Sequence, residues 1–122
     1  MTQWDYKHEG LTISASRAGS RAVVTWKGIS DGRSPGTFLG PVIDELAVYL
    51  KSADVTVDFT QLEYMNSATV APLVNLIKSL DASGHSVLVL FSDADWQRTH
   101  LNCMMAIART MRNVRVEGKA VS

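Results

Sequence analysis

The chain has 122 residues, of which twelve are Lys or Arg and twelve are Asp or Glu, so its formal net charge at neutral pH is zero. That length suits a single domain, residues 1–122, with enough buried surface for a real core, and no second domain is expected. The charge balance argues against a nucleic-acid binder and against a polybasic membrane segment, both of which depend on concentrated positive charge.

In chain order, Trp4, Tyr6 and His8 alternate with Asp5 and Lys7, and Glu9-Gly10 offers a turn before Leu11-Thr-Ile13-Ser-Ala15, which predicts a hairpin. Ala18-Gly19-Ser20 supplies a second turn, and Arg21-Ala-Val-Val-Thr-Trp26 makes a third strand, so the first quarter reads as an antiparallel meander. Trp4 and Trp26 are expected to pack on its faces, because large aromatics serve chiefly through the area they bury. Gly28 to Gly36 then reads as an irregular loop, rich in Gly, Pro and polar residues. Its glycines follow neither the dinucleotide nor the P-loop spacing, so nothing there is arranged to cradle a nucleotide.

Phe38, Leu39, Val42, Ile43, Leu46, Tyr49 and Leu50 recur at helical spacing, with Asp44, Glu45 and Lys51 on the other side. Both Ser34-Pro35 and Gly40-Pro41 carry start signals for this first helix, since Pro is tolerated in a first turn. A strand over residues 55–60, with Val55, Val57 and Phe59 alternating, passes through a short polar turn into a second helix of roughly residues 68–82. Ala82-Ser83-Gly84-His85 stops that helix with Gly in the expected place. Val87-Leu-Val-Leu-Phe91 is apolar at every position, the pattern of a strand buried on both faces of a parallel sheet.

Asp93 or Asp95 caps a third helix, whose apolar stripe is read as Trp96, Leu101, Met104, Met105, Ile107, Ala108 and Met111. Cys103, on the same face, is expected to be inert core. Val114-Arg-Val116-Glu gives a last short strand and the tail beyond Gly118 is expected to fray. The order predicts an α/β fold: one mixed sheet with an N-terminal antiparallel meander and about three helices packed on it.

The lone Cys103 has no intrachain disulfide partner, and the N-terminus lacks an apolar core of signal-peptide length, so the expected home is a reducing cytosol. No apolar run is long enough to span a bilayer as a helix. His8, His85 and His100 are far apart, without partners at metal-ligand spacing, so no metal site is expected. Ser67 lacks the Gly-x-Ser-x-Gly elbow of a hydrolase nucleophile, and no base is identifiable near it in sequence.

The junction from Asn66 to Thr69 holds the most informative chemistry. A hydroxyl between a strand and a helix lies where an anion is stabilised by unpaired N–H groups and the helix dipole, so a phosphate on Ser67 would be favoured there. The structural alternative is that Asn66, Ser67 or Thr69 is only a helix cap. If Ser67 is the cap, Pro72 falls just beyond the first turn and loosens it. If Thr69 is the cap, Pro72 takes the third helical position, where its missing N–H costs nothing, and Asn66-Ser67-Ala68 is left as a turn with an accessible hydroxyl.

The string Val57-Asp58-Phe59-Thr60-x-Leu62-x-Tyr64-Met65-Asn66-Ser67-Ala68-Thr69-Val70-Ala71-Pro72-Leu73-Val74 resembles the signature of STAS domains, the family of anti-sigma factor antagonists. Gly28-Ile-Ser-Asp31 is similar to the family's turn ahead of its first helix, and the order of elements agrees from about residue 11 to residue 117. The resemblance implies a bacterial signal-transduction protein, not itself an enzyme and needing no cofactor. Unmodified, it would bind a serine kinase of the histidine-kinase-like ATPase fold; phosphorylated on Ser67 it would be released, and a PP2C-type phosphatase would reset it.

Thr69 is the alternative phosphoacceptor. Asp31, Asn66, Ser67, Ala68 and Thr69 stand at the positions that border the partner. Asn66 occurs where Asp is usual, Ala68 and Thr69 replace the usual Ser-Gly, and Pro72 departs from the pattern. The Tyr-x-Asn-Ser arrangement is also similar to STAS-like regulators that activate a diguanylate cyclase when unmodified. Two alternatives remain: a STAS-like scaffold or small-ligand module without a phosphoswitch, and a small enzyme using the loop from Gly28 to Gly36 as a lid.

Overall fold

The computed structural model describes residues 2–31, 35–92 and 95–119. Alternation builds its first part. β1 (Thr2–His8), β2 (Leu11–Ala18) and β3 (Arg21–Ser30) pair antiparallel in sequence order, through tight turns at Glu9-Gly10 and Gly19-Ser20. Register sets Tyr6 beside Ile13 and Ile13 beside Trp26, so the apolar member of each alternation reaches one face. Along the edge strand, Trp4, Tyr6 and His8 stack with ring centroids 6.4 and 6.5 Å apart.

The remaining strands are parallel. β4 (Asp54–Asp58) pairs with the first half of β3, β6 (Val87–Ser92) with β4, and β7 (Val114–Lys119) with β6. A strand absent from the sequence reading, β5 (Leu62–Met65), pairs with the second half of β3, so residues 62–65 are not the polar turn expected there. The result is a seven-stranded mixed sheet in the order β1-β2-β3-β4-β6-β7, with β5 beside β3.

Among the described residues there are three α-helices: α1 (Pro35–Tyr49), α2 (Val70–Ala82) and α3 (Asp95–Ala108). Leu39, Ile43 and Leu46 of α1, Leu73, Leu76 and Ile77 of α2, and Met104 of α3 join Val24, Val57 and Val89 in one buried cluster. Trp26, Phe59 and Phe91 form its aromatic centre, with centroids 5.5 and 5.0 Å apart. The residues that point the other way, such as Thr12, Ser14, Thr25 and Thr56, are half-buried, and Val23 is exposed. β6 is therefore not sealed on both faces: Leu88 is only half-buried, although Leu90 is buried.

Several boundaries differ from the sequence reading. β3 continues to Ser30 and α1 begins at Pro35, so most of the supposed Gly28 to Gly36 loop is strand or helix. Residues 32–34 of that loop lie outside the described residues. Pro41 consequently sits inside α1, where it deletes the bond to the Thr37 carbonyl. Gly28 adopts φ +89°, and a Cβ there would stand 2.0 Å from the Gly10 carbonyl oxygen, which requires glycine. Cys103 and Met105 are exposed whereas Met104 is buried, so the apolar stripe of α3 is narrower than predicted. The side chains of Phe38, Trp96 and Leu101, and Asp93 as a cap, lie outside the described residues.

Polar side chains tie the elements together. Arg17 of β2 donates through Nη1 to the carbonyls of Tyr49 and Lys51, at 2.8 and 2.7 Å, and so supplies the cation that the last turn of α1 lacks. Asp81 at the end of α2 accepts from the Asn113 N–H at 2.8 Å, which anchors the chain entering β7. Gln97 of α3 is buried: its Oε1 accepts from the Ser92 N–H at 2.6 Å, and its Nε2 donates to the carbonyls of Phe59 and Leu62 at 3.0 and 2.9 Å.

Gln97→Leu would remove a side-chain partner from three backbone groups at once, of which only the Phe59 carbonyl is shown to keep another, the Leu62 N–H, and each group left unsatisfied costs about 1–3 kcal/mol. Chemical denaturation is expected to show a loss of at least about 2 kcal/mol, against a change within about 0.5 kcal/mol for exposed Asn102→Ala on the same helix. Burial holds His100 below the ordinary imidazole value of 6.5. The unfolded chain then takes up that proton first as pH falls, so stability declines from about pH 6.5 downwards and levels off once the native imidazole is also charged. His100→Gln is expected to flatten this decline in denaturation midpoints measured across the same window.

Candidate functional site

The stretch from Asp58 to Val70 is shaped by short-range polar contacts. Asp58 Oδ1 accepts from the Thr60 N–H at 2.8 Å and from the Thr60 hydroxyl at 2.6 Å, which turns the chain at the end of β4. β5 then carries it along β3 as far as the Ser30–Met65 pair. The next residue, Asn66, donates its N–H to the Ser30 carbonyl at 2.9 Å, and this clamps the end of the strand.

A single turn of 3₁₀ helix, Ser67–Thr69, leads into α2. Its cap is Asn66, in extended backbone geometry, whose Oδ1 accepts from the Thr69 N–H at 3.2 Å and from the Thr69 hydroxyl at 2.8 Å. An amide oxygen only accepts, so Thr69 must give its proton to Asn66. The buried Ser30 hydroxyl, 2.8 Å from Thr69 Oγ1, is then the donor of that pair. Thr69 is 0 % exposed, and Pro72 takes the third position of α2, where no backbone bond is lost. Of the two starts left open by the sequence, the helix proper adopts the later one.

Ser67 and Ala68 are exposed at the outside of this turn. The Ser67 carbonyl accepts from the Val70 N–H, while its hydroxyl has no hydrogen-bond partner among the described residues. Asp31, one residue beyond Ser30, is also exposed, and the pairing of β3 with β5 brings it to the same end of the sheet as Asn66. The five residues singled out in the sequence thus share one neighbourhood but divide in role. Asn66 and Thr69 are internal to the turn, and Asp31, Ser67 and Ala68 face outward.

The sequence reading missed what surrounds them. Ile29 and Tyr64 are register partners across β3 and β5, and they are 41 % and 47 % exposed. They form an apolar step on the surface beside the turn. The signal was available: with Trp26 inward, strict alternation sends Ile29 outward once β3 is allowed to run to Ser30. A groove of about 280 Å³ between α1 and α2, lined by Gly40, Ile43, Asp44, Ala71, Pro72 and Asn75, opens at the start of α2. No group of three or more His, Cys, Asp or Glu side chains is placed to hold a metal ion among the described residues. Here too, no helix is long and apolar enough to cross a membrane.

The two hydroxyls of the turn are expected to differ sharply in their effect on stability. Thr69→Val keeps the shape but leaves buried Ser30 and Asn66 each short of a partner, for an expected loss of about 1–2 kcal/mol. Ser67→Ala is expected to change stability by less than about 0.5 kcal/mol. Paired urea titrations measure both.

No family model matches this sequence, and a comparison with curated proteins returned no match.

Proposed function

We propose that the chain is a phosphorylation-controlled partner-switching regulator of the cytosol, with Ser67 as the phosphoacceptor. The observation that carries this reading is the contrast within one turn: Ser67 presents an unengaged, exposed hydroxyl, whereas Thr69 is buried and committed to Ser30 and Asn66. A kinase can reach the first without unfolding the turn; reaching the second requires breaking the cap.

The hydroxyl carries no paired base, so it is suited to receive a group delivered by another protein rather than to attack a substrate itself. The surface beside it has the makings of a contact: the apolar step of Ile29 and Tyr64, flanked by Asp31 and Ala68. Phosphorylation would place about −1.5 to −2 charge units at the rim of that step. A partner seated there would lose the contact unless it held a matching cation, so the unmodified chain binds and the modified chain lets go. The resemblance to STAS domains supports the identity of the partners: a serine kinase of the histidine-kinase-like ATPase fold, a PP2C-type phosphatase that restores the hydroxyl, and, by the Tyr-x-Asn-Ser arrangement, a diguanylate cyclase as output.

Site-localised mass spectrometry of the chain purified from its host is expected to find a phosphate on Ser67 that a PP2C-type phosphatase removes. Ser67→Ala should retain the captured partner, and Ser67→Asp should weaken it by about tenfold or more in calorimetry. Equal affinity of the two variants would sink the switch, and a phosphate confined to Thr69 would relocate it.

A further inference from the structure

At the opposite end of the parallel strands from Ser67, the sheet carries a trough of about 500 Å³. Register builds it. Val23, Thr56, Leu88 and Arg115 are successive cross-strand partners on β3, β4, β6 and β7, and their side chains form one row on the face turned away from the helices. One step nearer the strand starts, Arg21 stands opposite Asp54. Ser86 and Asn113 continue that second row.

The floor is unlike its surroundings. Thr12, Ser14 and Thr25 make the rest of this face polar, whereas Val23 is 45 % exposed and Leu88 is half-buried, which leaves an apolar strip between two arginines. Arg21 has no ion pair or hydrogen-bond partner among the described residues. Arg115 at the far end is exposed and ion-paired with Glu117, Nε to Oε1 at 3.3 Å. The acidic group in the trough is already engaged: Asp54 Oδ1 accepts from the Ser86 N–H at 3.0 Å and lies 3.7 Å from His85 Nδ1.

We propose that this trough binds a small organic carboxylate. The guanidinium fork of Arg21, which no carboxylate among the described residues pairs, matches a ligand carboxylate in two parallel hydrogen bonds, and the Arg115–Glu117 pair bounds the far end. The apolar body of the ligand lies on Val23 and Leu88, with the Thr56 hydroxyl between them. The volume falls within the range of roughly 300–1,000 Å³ typical of small-molecule sites. A carboxylate is favoured over a phosphate dianion because the Asp54 carboxylate shares the trough and repels a second negative charge more strongly. The inference stands apart from the Ser67 reading, since neither the residues nor the end of the sheet are shared.

The test uses the full chain, labelled with ¹⁵N and titrated at fixed ionic strength with benzoate, hexanoate and the neutral isostere benzamide. The two carboxylates are expected to produce saturable shifts in the amides of Val23, Thr56, Leu88 and Arg115, and benzamide far weaker ones. Arg21→Gln should weaken carboxylate binding about tenfold or more, and Arg21→Lys, which keeps the charge but not the fork, should fall between. The proposal is overturned if neither carboxylate gives saturable shifts, if the shifts fall elsewhere, if benzamide binds as well as benzoate, or if Arg21→Gln leaves affinity unchanged.

Discussion

A single buried amide holds the junction at which the sheet changes course. β4 ends at Asp58, and β5 starts at Leu62 on another part of the same neighbour, so residues 59–61 leave the ladder between them. Gln97 spans that gap from outside the sheet, taking the Phe59 and Leu62 carbonyls at its two ends with one nitrogen and the Ser92 N–H with its oxygen, while the Phe59 carbonyl also accepts from the Leu62 N–H. The same contact docks the first turns of α3 against the end of β6. β5 leaves directly from this closure, and its pairing with β3 then carries the chain to Asn66, whose N–H donates to the Ser30 carbonyl.

The turn that follows separates rigidity from accessibility within four residues. Asn66 and Thr69 lock it to Ser30 of β3, so its shape is anchored by the sheet rather than by α2 alone. Ser67 and Ala68 ride on that frame facing outward. Such an arrangement suits a modification site, because a charged group can be added without disturbing the contacts that position it. Asn66 caps without carrying a charge, and Thr69 contributes a buried hydroxyl to the same lock.

Much of the architecture was legible in the sequence. The meander, the three helices and the parallel strands β4, β6 and β7 are written in period-2 and period-3.6 patterns strong enough to survive their context. β5 was not legible, because four residues with only Leu62 and Met65 inward show no alternation and sit among polar neighbours. Cys103 and Met105 misled for the opposite reason: apolar type was taken for inward direction, whereas Met104 alone of the three turns to the core. Gln97 looks like any polar residue near a helix start, since nothing local marks the two carbonyls it serves, 38 and 35 residues away. Within the site, the choice of hydroxyl rested on a burial difference that the string Asn66-Ser67-Ala68-Thr69 does not carry.

The split pairing of β3 also bears on how the chain reaches its fold. β1, β2 and β3 are joined by two-residue turns, so their contacts are local and cheap in loop-closure entropy. The outer edge of β3 has no partner until residues 54–65 arrive, and its two halves are completed by two different strands. On an emerging chain the meander would form first and then wait, with a ten-residue edge open to any passing strand. The exposed charges of Arg21 and Lys27 along it fit the requirement that a waiting edge discourage the wrong neighbour.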